Sequence, residues 1–274
     1  MRVFVSGLRK LVGRPASFVT LGILAGLLVL IILGTVAARD ASLAATNRAR
    51  LIVGFPGAYD LILQFMFGLG GLFAVIYGAA IAGSEWGWAT LKNAVARGES
   101  RARYLLLTFA AIAFMIALGL GLTFVLGLGA ALIGANIAGF STAGINDPDA
   151  IGRLPALFAR GWFAVVEEAA LGFAIATLAR SQLAGIGAGI AFYFGEAFAS
   201  IFLPDVVKYL PFAVAQASVN TGGASGFGGG GGGSDGGGFA AALPADTALL
   251  LVAAWLIGSL VVALVFTERA EITG

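Results

Sequence analysis

The residues most able to do chemistry in this chain are few, and their settings are unusual. Glu167, Glu168 and Glu196 each lie inside a long apolar run. An acid at mid-bilayer costs ~2.5 to 3.5 kcal/mol on insertion scales, so intramembrane carboxylates usually face a cavity, a partner or a pathway. No Lys or Arg lies in the middle of any of the apolar runs to neutralise them. Either they line a polar, cation-attracting route between two helices, or they face outer water and cap inter-helix contacts. The second concentration of chemistry is residues 83–103, GSEWGWATLKNAVARGESRAR, which holds two tryptophans, two glutamates and four basic residues. It is too short to be a domain, and it suits a segment gripped by something else.

Other chemistries are excluded by composition. The 274 residues contain neither cysteine nor histidine, which removes disulfides, thiolate and imidazole metal sites, and any catalytic triad that needs His. No Walker A sequence is present, and the glycine tract within 222–238 lacks the Gly-Lys-Ser/Thr ending of a phosphate-cradling loop. We therefore expect a non-enzymatic chain with no cofactor and no metal of its own. The net charge of +2 does not point to nucleic acid, because no basic run with interleaved aromatics stands apart from the apolar stretches.

The elements that must position these residues are membrane spans. A hydrophobic fraction of 59% and a mean hydropathy of +0.99 lie well outside the soluble range. Apolar runs long enough for a ~30 Å hydrocarbon core predict spans at 18–38, 61–82, 104–126, 156–179, 182–202 and 247–266. The stretch 104–140 is too long for one span and short for two, so its glycine-rich remainder is expected to be re-entrant or interfacial. The fold class is all-α: one polytopic domain, 1–274, with six transmembrane helices and a short cytoplasmic coupling helix. Residues 1–16 carry Val3, Phe4, Leu8, Leu11 and Val12 among Arg2, Arg9, Lys10 and Arg14, which fits an interfacial amphipathic helix or a solvated basic leader. Pro56, with Gly54 and Gly57, breaks any continuous helix across 39–60. The two-residue turn Arg180–Ser181 makes the fourth and fifth spans antiparallel neighbours, and Gly185 with Gly189 lets another helix approach closely. The glycine-rich connection 204–244 reads as a flexible outer tether.

Lys and Arg set the orientation. With the N-terminus inside, ten of the sixteen basic residues fall in short cytoplasmic segments. This density places both termini and residues 83–103 in the cytoplasm of a multi-pass cell-membrane protein. Within 83–103, Ser84 suits a helix N-cap, Glu85 the first turn and Gly98 the C-terminal stop, which predicts a helix over about 84–97. Ser100 can cap the span that follows. An ordinary positive-inside loop with tryptophan anchors would look much the same.

The order Glu85, Trp88, Thr90, Leu91, Lys92, Arg97, Gly98, Ser100, Arg101 resembles the loop between the second and third spans of ABC-2 type transporter permeases. Ala89 stands where that family commonly has Gly, and Gly98 where Pro is common. The six-span layout, basic start and long outer segment before the last span agree more loosely. The resemblance implies an exporter permease that dimerises, as a homo- or heterodimer, and pairs with two copies of an ATP-binding subunit. That partner carries the ATP and Mg, and Glu85, Trp88, Thr90, Lys92, Arg97 and Arg101 couple to it. Glu167, Glu168 and Glu196 would then be a translocation pathway. The competing readings are a secondary transporter using those glutamates as a proton or cation relay, and a membrane scaffold that docks a partner without transport. A Glu-Glu pair in a span also resembles CAAX-type intramembrane proteases, but Gly172 stands where they need Arg, and the chain has no histidine.

Overall fold

The computed structural model describes residues 2–87, 90–219 and 243–270, and among these every regular element is helical. In chain order they are α1 (Arg2–Val12), α2 (Pro15–Ala37), α3 (Leu43–Val53), α4 (Gly57–Gly87), α5 (Thr90–Ala96), α6 (Arg101–Ala138), α7 (Pro148–Ala179), α8 (Gln182–Ala199), α9 (Pro204–Val207), α10 (Pro211–Ser218) and α11 (Ala245–Arg269), with short 3-10 turns at Arg39–Ala41 and Ala143–Asn146. Five of these regions, centred on α2, α4, α6, α7 and α11, are long and apolar enough to cross a membrane. This is the architecture of a multi-pass membrane protein. The helix α8 has 18 residues, carries Glu196, and is not among the five.

The centre of the bundle is the pair α4 and α7. The most apolar windows of these two helices are 78% and 67% buried, against 28%, 33% and 17% for α2, α6 and α11. Glycine permits the close packing. A Cβ at Gly172 would run into the Val75 carbonyl, and one at Gly78 into the Ala169 carbonyl. The two backbones therefore approach closely, as small residues allow in membrane helices. The contacts advance in the same direction on both chains, from Phe67 on Gly161 to Val75 on Gly172, so α4 and α7 are parallel. The expected antiparallel return follows: Arg180 turns the chain in a left-handed conformation (φ 50°), and the Ser181 hydroxyl caps α8. Gly185 then packs on Ala176 of α7 and Gly189 on Val75 of α4.

Three expectations are corrected. No re-entrant segment follows the third span, because α6 is one unbroken helix from Arg101 to Ala138. Its glycines serve packing: Gly127 is filled around by Leu28 and Ile62, and Gly134 by Val36 and Val53. The helix is ~57 Å long at ~1.5 Å per residue, so it outreaches a ~30 Å core. The second correction concerns the helix start predicted at Ser84. Ser84 and Glu85 lie inside α4, which continues to Gly87. The Ser84 hydroxyl donates to the Ile81 carbonyl at 2.7 Å, a bond to its own helix that replaces the cap. The helix α5 is correspondingly short, seven residues. Gly98 does end this segment, at φ 87°, and Ser100 caps α6 through Arg103 N–H at 3.3 Å. The segment 39–60 contains α3, broken before α4 at Gly54 and Pro56 as expected. The third correction concerns the connection 204–244, expected to be a tether throughout. Its first part forms α9 and α10, which bury Val207, Phe212 and Val214 as apolar side chains find neighbours to pack on. Residues 220–242, with the glycine tract, lie outside the described residues.

Candidate functional site: a carboxylate with four donors

Glu85 is the hub of the polar segment. It is buried, at 6% exposure, near the C-terminal end of α4. Four side chains converge on its carboxylate from four places in the chain. Lys10, near the end of α1, forms an ion pair with Oε1, and Arg14, between α1 and α2, donates to the same oxygen at 3.2 Å. Thr90, at the start of α5, donates to Oε2 at 2.5 Å, and Tyr104, in the first turn of α6, donates to it at 2.6 Å. Arg14 also donates to the Ser84 hydroxyl at 2.7 Å. The amphipathic pattern of α1 explains how Lys10 arrives there. Leu11 is buried, and Phe4 meets Phe114 of α6 edge to face, which leaves Lys10 turned toward the end of α4. Burial pushes the Lys10 ammonium below its ordinary value, and Glu85 opposes that shift without reversing it.

The rest of the segment is tied in separately. Arg101 donates to the Thr267, Glu268 and Ala270 carbonyls at 3.2, 3.1 and 2.8 Å, satisfying the end of α11. Glu268 returns the favour by accepting from the Ala102 N–H at 3.2 Å. These reciprocal bonds satisfy orphan groups at a helix end and a helix start. Arg180, in the turn between α7 and α8, lies over the rings of Trp86 and Phe266, 5.2 and 5.1 Å from their centroids. The ends of α4, α6 and α11 and the α7–α8 turn thus meet in one polar layer. On α5, Leu91 is buried while Asn93 and Ala96 are exposed, as is Arg97 just beyond it. Of the residues expected to couple to a partner, Glu85, Thr90 and Arg101 are engaged within the chain and Arg97 faces out. Trp88 lies outside the described residues, as does the Lys92 side chain.

The three acids of the apolar runs separate into two kinds. Glu196 is 4% exposed and accepts from the backbone N–H groups of Phe212 and Ala213 at 3.3 and 2.5 Å. It caps the first turn of α10 from a different helix, placing negative charge where the helix dipole favours it. Glu167 and Glu168 are 0% and 1% exposed. Among the described residues, neither oxygen of Glu167 and not Oε2 of Glu168 has a hydrogen-bond partner. The Glu168 carboxyl occupies the space that a Cβ on Gly71 would fill, so α4 carries a glycine where α7 carries the acid. No cluster of three or more acids that could hold a metal occurs among the described residues.

Sequence reasoning missed Lys10, Arg14 and Tyr104 as partners of Glu85. The available signal was a basic N-terminal helix ending beside an acidic span end, which fixes charge but not pairing. It also missed Gly71, for which a single glycine in a glycine-rich span gave no signal. No family model matches the chain, and no curated protein matches it.

Proposed function

We propose that this chain is the membrane-spanning subunit of an ABC-2 type exporter, with α8 as the fifth of six spans and both termini in the cytoplasm. In this reading α5 is the coupling helix, gripped by a separate ATP-binding subunit that holds ATP and Mg. Two permease chains and two such subunits make the working assembly. The observation that carries the proposal is the Glu85 hub. The short α5, with Arg97 exposed at its end, is fastened through Thr90 and Glu85 to α1, α4 and α6. A displacement of α5 is therefore delivered to several spans at once. Closure of the ATPase pair would bias inward- against outward-facing arrangements through that connection. The roles divide accordingly: Arg97 and Lys92 meet the partner, while Glu85, Thr90 and Arg101 pass the motion inward. The density of Lys and Arg in 83–103, which suits a cytoplasmic segment, and the lack of a Walker A sequence support an ATPase on another polypeptide.

The test is co-purification from the native membrane. An ATPase should remain bound in mild detergent and be lost from the Arg97→Glu variant, whose melting temperature should stay unchanged. Transport that persists without ATP and stops when a proton gradient is discharged would overturn the reading. That outcome would favour a secondary transporter, for which the specific support is the burial in a span of Glu167, with no hydrogen-bond partner among the described residues, and of Glu168, with one unpartnered oxygen.

A further inference from the structure

Between α6 and α7 lies a groove of about 690 Å³. Leu63 of α4 forms its floor, Phe114 and Phe124 of α6 one wall, and Pro155, Phe158 and Trp162 of α7 the other. One end is closed by Trp162, whose indole N–H donates to the Ala113 carbonyl at 2.9 Å and so fastens α7 to α6. With that donor engaged, the lining residues offer no side-chain group to a polar ligand. Pro155 is exposed and Phe114 is 45% exposed, so the groove opens sideways on the outer surface of the bundle. Both flanking helices are long and apolar enough to cross a membrane. The opening therefore faces hydrocarbon rather than water. An apolar groove of this size, within the ~300 to 1,000 Å³ of small-molecule sites, would forfeit the dispersion contacts of its walls if it stayed empty.

The dimensions and charge identify the occupant. From Leu154 to Trp162 the α7 wall rises ~12 Å at ~1.5 Å per residue, close to half of a ~30 Å hydrocarbon core and so to one leaflet. At the open end, Arg153 is exposed and directly precedes Leu154. We propose that this groove holds one acyl chain of a phospholipid drawn from the leaflet at the N-terminal end of α7, with the lipid phosphate over Arg153. The inference rests on the membrane position of α6 and α7 and not on the exporter reading.

The test uses the full-length chain with Trp86, Trp88 and Trp255 changed to Phe, which leaves Trp162 as the only fluorophore tryptophan. In vesicles with increasing phosphatidylcholine brominated along its chains, Trp162 should be quenched steeply at low mole fraction of brominated lipid. In Ala159→Phe, where the new ring fills the groove, quenching should follow the shallow line of bulk lipid contact. Coincident curves for the two proteins would overturn the proposal. Native mass spectrometry of the unaltered chain from mild detergent gives an answer that does not depend on the folding of that variant. One retained phospholipid per chain is expected, and none would overturn the site. Arg153→Gln should lower retention several-fold, whereas unchanged retention would refute the phosphate contact.

Discussion

Glu85 and Glu168 are both buried carboxyls on the two helices that form the centre of the bundle, and their surroundings are opposite. Glu85 receives four side-chain donors, two of them cationic. Glu168 has no ion pair among the described residues, and one of its oxygens has no hydrogen-bond partner. One acid joins elements far apart in sequence. The other is held within the close contact of α4 and α7, in space left by Gly71. Removing the first acid takes an anion from two cations; removing the second relieves a buried carboxyl with an unpartnered oxygen. The same residue type therefore has opposite energetic signs, and the comparison can be broken by mutation.

The largest expected effect is at the hub. Glu85→Leu removes the carboxylate that Arg14, buried, and Lys10, half-buried, both reach. Breaking a buried pair by removing one partner costs ~3 to 5 kcal/mol. Thermal unfolding in detergent should show a drop of that order. The double change with Lys10→Met should recover part of it, because interacting groups are non-additive. A Glu85→Leu protein as stable as the parent would mean that the hub is not a fastener.

The contact at Gly71 should show the reverse pattern. Gly71→Ala sets a methyl against the Glu168 carboxyl, and overpacking a filled interior costs ~1 to 3 kcal/mol. Glu168→Ala in the same chain should remove the clash and restore stability. Glu168→Leu alone should be neutral or stabilising, since replacing a buried polar group that has an unpartnered oxygen by an apolar one of similar shape removes its desolvation cost. If Glu168→Leu destabilises as strongly as Glu85→Leu, the two acids are not different in kind. A ligand or partner would then have to support Glu168 in the membrane.

These two regions also differ in how far the sequence discloses them. That Glu167, Glu168 and Glu196 are unusual is visible from their apolar neighbours alone, since hydropathy reports depth directly. What each acid does is set by groups far along the chain. Glu196 caps α10 through Phe212 and Ala213, while Glu168 fits Gly71, and neither pairing has a local pattern. Around Glu85, local signals fared unevenly. Gly98 and Ser100 behave as a stop and a cap because those roles are decided within a turn or two. Ser84 does not, because α4 continues and supplies its own acceptor at Ile81. The continuity of α6 was hidden for a related reason. Glycine weakens a helix in water, but here it seats side chains of α2 and α4. Packing between helices thus overrides the propensity on which the expectation rested.

The smallest effect sharpens the hub through pH. Lys10 is half-buried where Arg14 and Glu85 are buried, and burial outweighs Glu85 in pushing its ammonium below the ordinary lysine value. In the window between that lowered value and the ordinary one, the unfolded chain holds the Lys10 proton more fully than the folded chain does. Stability therefore rises with pH across this alkaline window. Below the window Lys10 is charged in both states, and its unfavourable burial is fully expressed. Lys10→Met should flatten the rise in a series of melting curves taken through the alkaline range, and the Lys10-dependent part of the slope should vanish. A slope of the opposite sign that also disappears in Lys10→Met would mean that Glu85 outweighs burial. The hub would then hold Lys10 as firmly as it holds Arg14.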